Sequence, residues 1–100
     1  MSVKAVKLND HTISMQVGAR FDYSVHKEFR EAYIGHTSPG LVFKVDLSEA
    51  YHMDSSALGM LLLLKEHAEK LAGKVIFVHP SETVLKVLKI ANFDKLFKIE

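Results

Sequence analysis

At 100 residues with 48% apolar side chains, the chain can bury one modest core and is too short for two, so a single domain is expected. Its 13 basic and 12 acidic side chains leave a formal charge of +1, without the basic excess that nucleic-acid binding draws on. No cysteine is present, which removes disulfides, thiolate catalysis and cysteine-ligated zinc, and the cytoplasm is the expected location.

Val3 to Leu8 and the alternating Ile13, Met15 and Val17, interleaved with Thr12, Ser14 and Gln16, read as two strands. The turn formers Asn9-Asp10 between them predict a hairpin. After Gly18, Asp22 is placed to cap a helix carrying Val25, Phe29, Ala32 and Tyr33 at helical spacing. Gly35 and the Ser38-Pro39-Gly40 breaker end it. Leu41 to Leu47 is strand-like, and Val75 to Val78, bounded by Gly73 and Pro80, is the continuous apolar run of a strand covered on both faces. These two are expected at the sheet centre.

Between them the pattern predicts a helix from about Ser55 to Ala72. Projected at 100° per residue, Ala57, Met60, Leu61, Leu64, Ala68, Leu71 and Ala72 share the sector that should face a sheet. Leu58 and Leu62 fall on one flank and Leu63 on the other, near Gly59; each is either covered by a neighbouring helix or part of a contact surface. The apolar run 57–64 is far short of the roughly 18 residues a membrane-spanning helix needs, and residues 1–20 lack a signal-peptide core, so no membrane insertion is expected. Ser81 to Ala91 supplies another helix and Phe97 to Ile99 a last strand. The alternation implies βαβ crossovers, hence an α/β fold with a mixed sheet of about four to five strands and about three helices packed on it.

The junction Asp54-Ser55-Ser56 ahead of the central helix carries the functional signal. A helix start offers free backbone N–H groups and the positive end of the dipole, where an aspartate or serine caps and where negative charge is favoured. On the residues alone, plain capping is the simpler account. Capping and modification are compatible, because Asp54 as cap leaves the Ser55 hydroxyl available. Arg20, Phe21, Asp22 and Tyr23 open the first helix and are candidates for a docking surface shared with that junction; the alternative is that Asp22 caps while the two rings pack locally.

Other constellations carry little. The six histidines, His11, His26, His36, His52, His67 and His79, lack the spacing of a metal site, and no metal or cofactor is expected. A serine hydrolase would need a nucleophile elbow and an identifiable triad, and neither is present near His52. There is no P-loop or dinucleotide fingerprint. Lys86, Lys89, Lys95 and Lys98 fit a solvated face.

The segment Val45-Asp46-Leu47-Ser48-Glu49-Ala50-Tyr51-His52-Met53-Asp54-Ser55-Ser56-Ala57-Leu58-Gly59-Met60 resembles the signature of STAS domains, specifically the bacterial anti-sigma factor antagonists. The likeness extends to Gly18 with Asp22, to His79-Pro80 ahead of a helix, and to Asn92-Phe93-Asp94-Lys95-Leu96-Phe97 near the end. It implies a non-enzymatic binding module. Unphosphorylated, such a domain holds an anti-sigma factor, often itself a serine kinase, and so frees a sigma factor for transcription. Phosphorylation of the serine after the aspartate, here Ser55 with Ser56 as second candidate, breaks the complex, and a metal-dependent PP2C-type phosphatase restores it. The implied contact surface is Arg20, Phe21, Asp22, Tyr23, Asp54, Ser55, Ser56, Leu58, Gly59, Leu62 and Leu63. The fold also admits a subunit of a membrane-lipid ABC transport complex, whose central helix would hold an ATPase without any phosphate. Two departures limit the transfer: Ala57 stands where many members have glycine, which bears on partner choice, and the sequence stops at Glu100 where many continue into another helix, which bears on the helical cover of the sheet.

Overall fold

The alternation along the first residues becomes a β-hairpin in the computed structural model, which describes residues 3–100. Strand β1 (Val3–Asn9) pairs antiparallel with β2 (Thr12–Val17), Val3 opposite Val17 and Lys7 opposite Ile13. The Asn9 side-chain oxygen accepts the His11 N–H at 2.8 Å, so the turn former helps close its own turn. Then follow β3 (Arg20–Phe21), a 3-10 turn at Tyr23–Val25, α1 (His26–Ile34), β4 (Val42–Asp46), β5 (His52–Met53) and α2 (Ser55–Lys70). The chain continues with β6 (Lys74–Val78), α3 (Glu82–Ile90), a 3-10 turn at Phe93–Lys95 and β7 (Lys98–Ile99).

The main sheet has the order β1-β2-β4-β6-β7, and every pair after the first is parallel. From β2 to β7 the strands advance in one direction, so right-handed crossovers carry all three helices to the same face. The register aligns the core on that face in rows: Ile13, Phe43 and Val75 in one, then Met15, Val45, Phe77 and Ile99 in the next. Onto these rows α1 buries Phe29 and Tyr33, α2 buries Ala57, Met60, Leu61, Leu64 and Ala68, and α3 buries Val84 and Leu88. β4 lies at the sheet centre with β6 beside it, as the apolar runs predicted. Ile76 is buried on the opposite face, outside the main core, flanked in its row by Lys44 and Lys98.

Asp22 caps the 3-10 turn at Tyr23–Val25 rather than α1 itself, which starts at His26, and three further details differ from the expectation. The central helix ends at Lys70 rather than Ala72: Ala72 turns left-handed at φ 57°, and the Gly73 N–H closes on the Ala68 carbonyl at 2.8 Å, leaving Ala72 exposed. Gly73 itself is required by close approach, since a Cβ there would lie 2.0 Å from the Leu41 carbonyl oxygen. Phe97 precedes the last strand and stacks on Phe77 and Phe93 in the core, with ring centroids 4.4 and 5.4 Å apart. The third difference is a second, two-stranded sheet, in which β3 and β5 pair in parallel beside the main one. Among the described residues, no helix is long and apolar enough to cross a membrane.

Candidate functional site

The small sheet organises the site. Arg20 pairs with His52 and Phe21 with Met53, so the two segments leave the sheet side by side and enter helical turns at Asp22 and Asp54. Phe21 and Met53 are both buried and anchor the two exits. Each aspartate then makes the same local closure. The Asp22 carboxylate accepts the Ser24 N–H at 3.0 Å and the Ser24 hydroxyl at 2.5 Å. That of Asp54 accepts the Ser56 N–H at 3.1 Å, the Ser56 hydroxyl at 2.6 Å and the Ala57 N–H at 3.2 Å. The recurrence of an apolar residue, then Asp-x-Ser, at 21–24 and 53–56 was the sequence signal for this pairing.

These contacts divide the two serines. Ser56 is half-buried and its hydroxyl is committed to Asp54, whereas Ser55 is exposed and its side chain has no hydrogen bond among the described residues. The Ser56 and Ala57 amides are engaged by the Asp54 carboxylate, the cap expected from the sequence. A negative group on Ser55 therefore meets the helix dipole but not these amides, and stands next to the Asp54 carboxylate.

The electrostatics follow from the same hydrogen bonds. The Ser24 hydroxyl, then the Ser24 N–H, hold the Asp22 carboxyl below its usual range, with Arg20 adding to this through an ion pair at 3.3 Å. The Ser56 hydroxyl does the same for Asp54, joined by the Ala57 and Ser56 N–H groups. Asp22 is close enough to oppose this depression at Asp54 through like charge. Both carboxylates are thus ionised at neutral pH and form a paired negative element at the twin exits.

Around them the surface is apolar. Tyr23, at the position matching Ser55 in the paired unit, is 64% exposed and stacks on the His26 ring at 4.0 Å. Leu62 and Leu63 remain 43% and 58% exposed on α2, so no neighbouring helix covers them, while Leu58 is partly buried against the core. Gly59 is exposed and open around its Cα, with space for a close-fitting neighbour. Phe21, expected in the contact set, is instead fully buried, its ring 5.1 Å from Phe29. Arg30, Tyr33 and Met60, which line a groove between α1 and α2, were not singled out, because their helical spacing reads as ordinary packing. Among the described residues there is no group of three His, Asp or Glu side chains able to hold a metal ion.

Comparison with known proteins covers nearly the whole chain. The family model described as "Mlab, STAS domain" matches residues 5–99. A STAS-domain containing protein of Pseudomonas aeruginosa is 40% identical over 100 residues, spanning 99% of each chain. Among solved structures, the anti-sigma factor antagonist SpoIIAA in its unphosphorylated form superposes with a TM-score of 0.79 at 20% identity, over 98% of this chain and 87% of that one. The Bacillus cell fate determinant SpoIIAA in its phosphorylated form gives 0.69 at 18% identity, over 98% and 90%. At these identities the structural likeness speaks for the fold.

Proposed function

The chain belongs to the STAS-domain family, and on that premise we propose that it works as an anti-sigma factor antagonist, a binding module switched by phosphorylation of Ser55. The observation that carries this reading is the division of labour at the α2 start: Asp54 and Ser56 close the cap on each other, and Ser55 stands free and exposed, one residue from the Ser56 that lines the groove with Tyr23 and Leu63. In the unphosphorylated state Arg20, Asp22, Tyr23, Asp54, Ser56, Leu58, Gly59, Leu62 and Leu63 form the surface on which an anti-sigma factor docks, with Ser55 at its edge. No catalytic step is assigned to the chain. Its chemistry is supplied by a kinase, which the anti-sigma factor itself can be, and by a PP2C-type phosphatase.

Added phosphate brings about −1.5 to −2 charges. Beside the ionised Asp54 it would deepen a negative cluster that a close-fitting partner must desolvate. A penalty of about 3 kcal/mol weakens binding more than roughly 100-fold, since each 1.4 kcal/mol is tenfold. The fold can stay intact, because the cap that holds α2 does not involve the Ser55 side chain. Release then needs only local charge.

Pull-down from the native cell with wild type, Ser55→Ala and Ser55→Asp tests this. The same sigma-binding or kinase-like partner should be held by wild type and by Ser55→Ala and lost by Ser55→Asp. Equal recovery of an ABC-type ATPase by all three would replace this reading with the transport subunit.

A further inference from the structure

A cavity of about 370 Å³ lies between α1 and α2, below Tyr23 and next to Ser56. This falls in the size range of small-ligand sites, roughly 300–1,000 Å³. Four rings face it, from Tyr23, His26, Phe29 and Tyr33, and Met60 and Leu63 complete an apolar wall. Among its described lining residues none is acidic, and Arg30 is the one fixed cation. Arg30 also borders an adjoining cavity of about 250 Å³, where the only carboxylate, Glu66, is already paired with Lys70 at 3.5 Å. The Arg30 guanidinium is therefore exposed and forms no ion pair among the described residues.

An aromatic wall with one unmatched cation at its rim is complementary to an apolar ring bearing a single negative head. Aromatic groups gain from offset or edge-on ring contacts, methionine sulfur adds to them, and a guanidinium binds a carboxylate through two parallel hydrogen bonds. We infer that the groove between α1 and α2 is a binding site for a small aromatic carboxylate, its ring against the exposed Tyr23 and Leu63 over a floor of Phe29 and Met60, and its carboxylate on Arg30. The site borders the docking surface proposed above and does not rest on it: the ligand binds the isolated chain, whatever happens at Ser55.

The test is a titration of the purified protein with naphthaleneacetate, the neutral naphthaleneethanol and the cationic naphthylmethylammonium, followed by backbone amide resonances. Naphthaleneacetate should give saturable shifts confined to α1 and the first half of α2, and the ammonium should bind about tenfold more weakly. Arg30→Gln, an exposed substitution whose unperturbed spectrum reports an intact fold, should weaken the carboxylate to the level of the alcohol and leave the alcohol unchanged. Equal affinity for carboxylate and ammonium, shifts scattered outside the groove, or no saturation at millimolar concentration would each overturn the assignment.

Discussion

Leu63 and Leu64 are adjacent in α2, yet the first is 58% exposed and the second 0%. Truncating each to alanine should therefore separate docking from folding. Full burial of a leucine side chain contributes about 1.5–3 kcal/mol. A partner that covers the exposed 58% of Leu63 gains that fraction, about 0.9–1.7 kcal/mol, so Leu63→Ala should weaken docking roughly 5- to 20-fold. Its stability should stay within about 0.5 kcal/mol of wild type, as for an exposed substitution. Leu64→Ala removes the same atoms from the core and should cost about 2–5 kcal/mol of stability, a fall in Tm of at least about 8 °C for a domain of this size. Thermal unfolding by circular dichroism gives the stability arm, and surface-immobilised binding to the partner recovered with Ser55→Ala gives the docking arm. If Leu63→Ala binds like wild type, or unfolds as early as Leu64→Ala, the assignment of this flank to docking is wrong.

Ser55→Asp should leave Tm within about 4 °C of wild type, because dipole stabilisation of about 0.3–1 kcal/mol at a helix start is countered by neighbouring negative charge; a large loss would make release a matter of unfolding. Asp22 and Asp54 both titrate below the usual carboxylate range, chiefly through the hydroxyls of Ser24 and Ser56. Their contribution to stability is complete above the unfolded carboxylate value of about 3.9 and is lost as the pH falls through the lower folded values. Urea midpoints measured from pH 6 downwards should thus fall less steeply for Asp54→Asn than for wild type, and parallel profiles would contradict the cap. Gly73→Ala must push the start of β6 away from the Leu41 carbonyl, from which its Cβ would be 2.0 Å. A destabilisation of about 1–3 kcal/mol or more is expected in denaturant unfolding, and an unchanged midpoint would refute the close approach.

The strands and helices were legible where one physical signal acted alone. Ile13, Met15 and Val17 alternate because one face of β2 is buried, and Val84 and Leu88 sit one turn apart because α3 has one buried stripe. Ala72 was misjudged because its apolar character continues the stripe, while the chain reversal at φ 57° is set by the hydrogen bonds that close α2. The two-residue strands β3 and β5 are too short for periodicity to register, and their pairing joins residues 32 positions apart, such as Arg20 and His52. Consequently the Asp54 cap could be anticipated from its own segment, whereas the strand pairing that sets it beside Asp22 left a trace only in the repeated Asp-x-Ser at 22–24 and 54–56. Phe21 shows the same limit, since an aromatic beside a cap can pack inward or outward, and only the proximity of Phe29 decides it.

Intact-mass and fragment analysis of the endogenous protein, separated into partner-bound and free fractions, is the most direct measurement of Ser55 as the switch. A phosphoryl increment of about 80 Da should appear on Ser55 in the free fraction and be missing from the bound one, and phosphatase treatment should return the free protein to binding. Equal phosphorylation of both fractions, or no phosphoryl group on Ser55 under any growth condition, would contradict it.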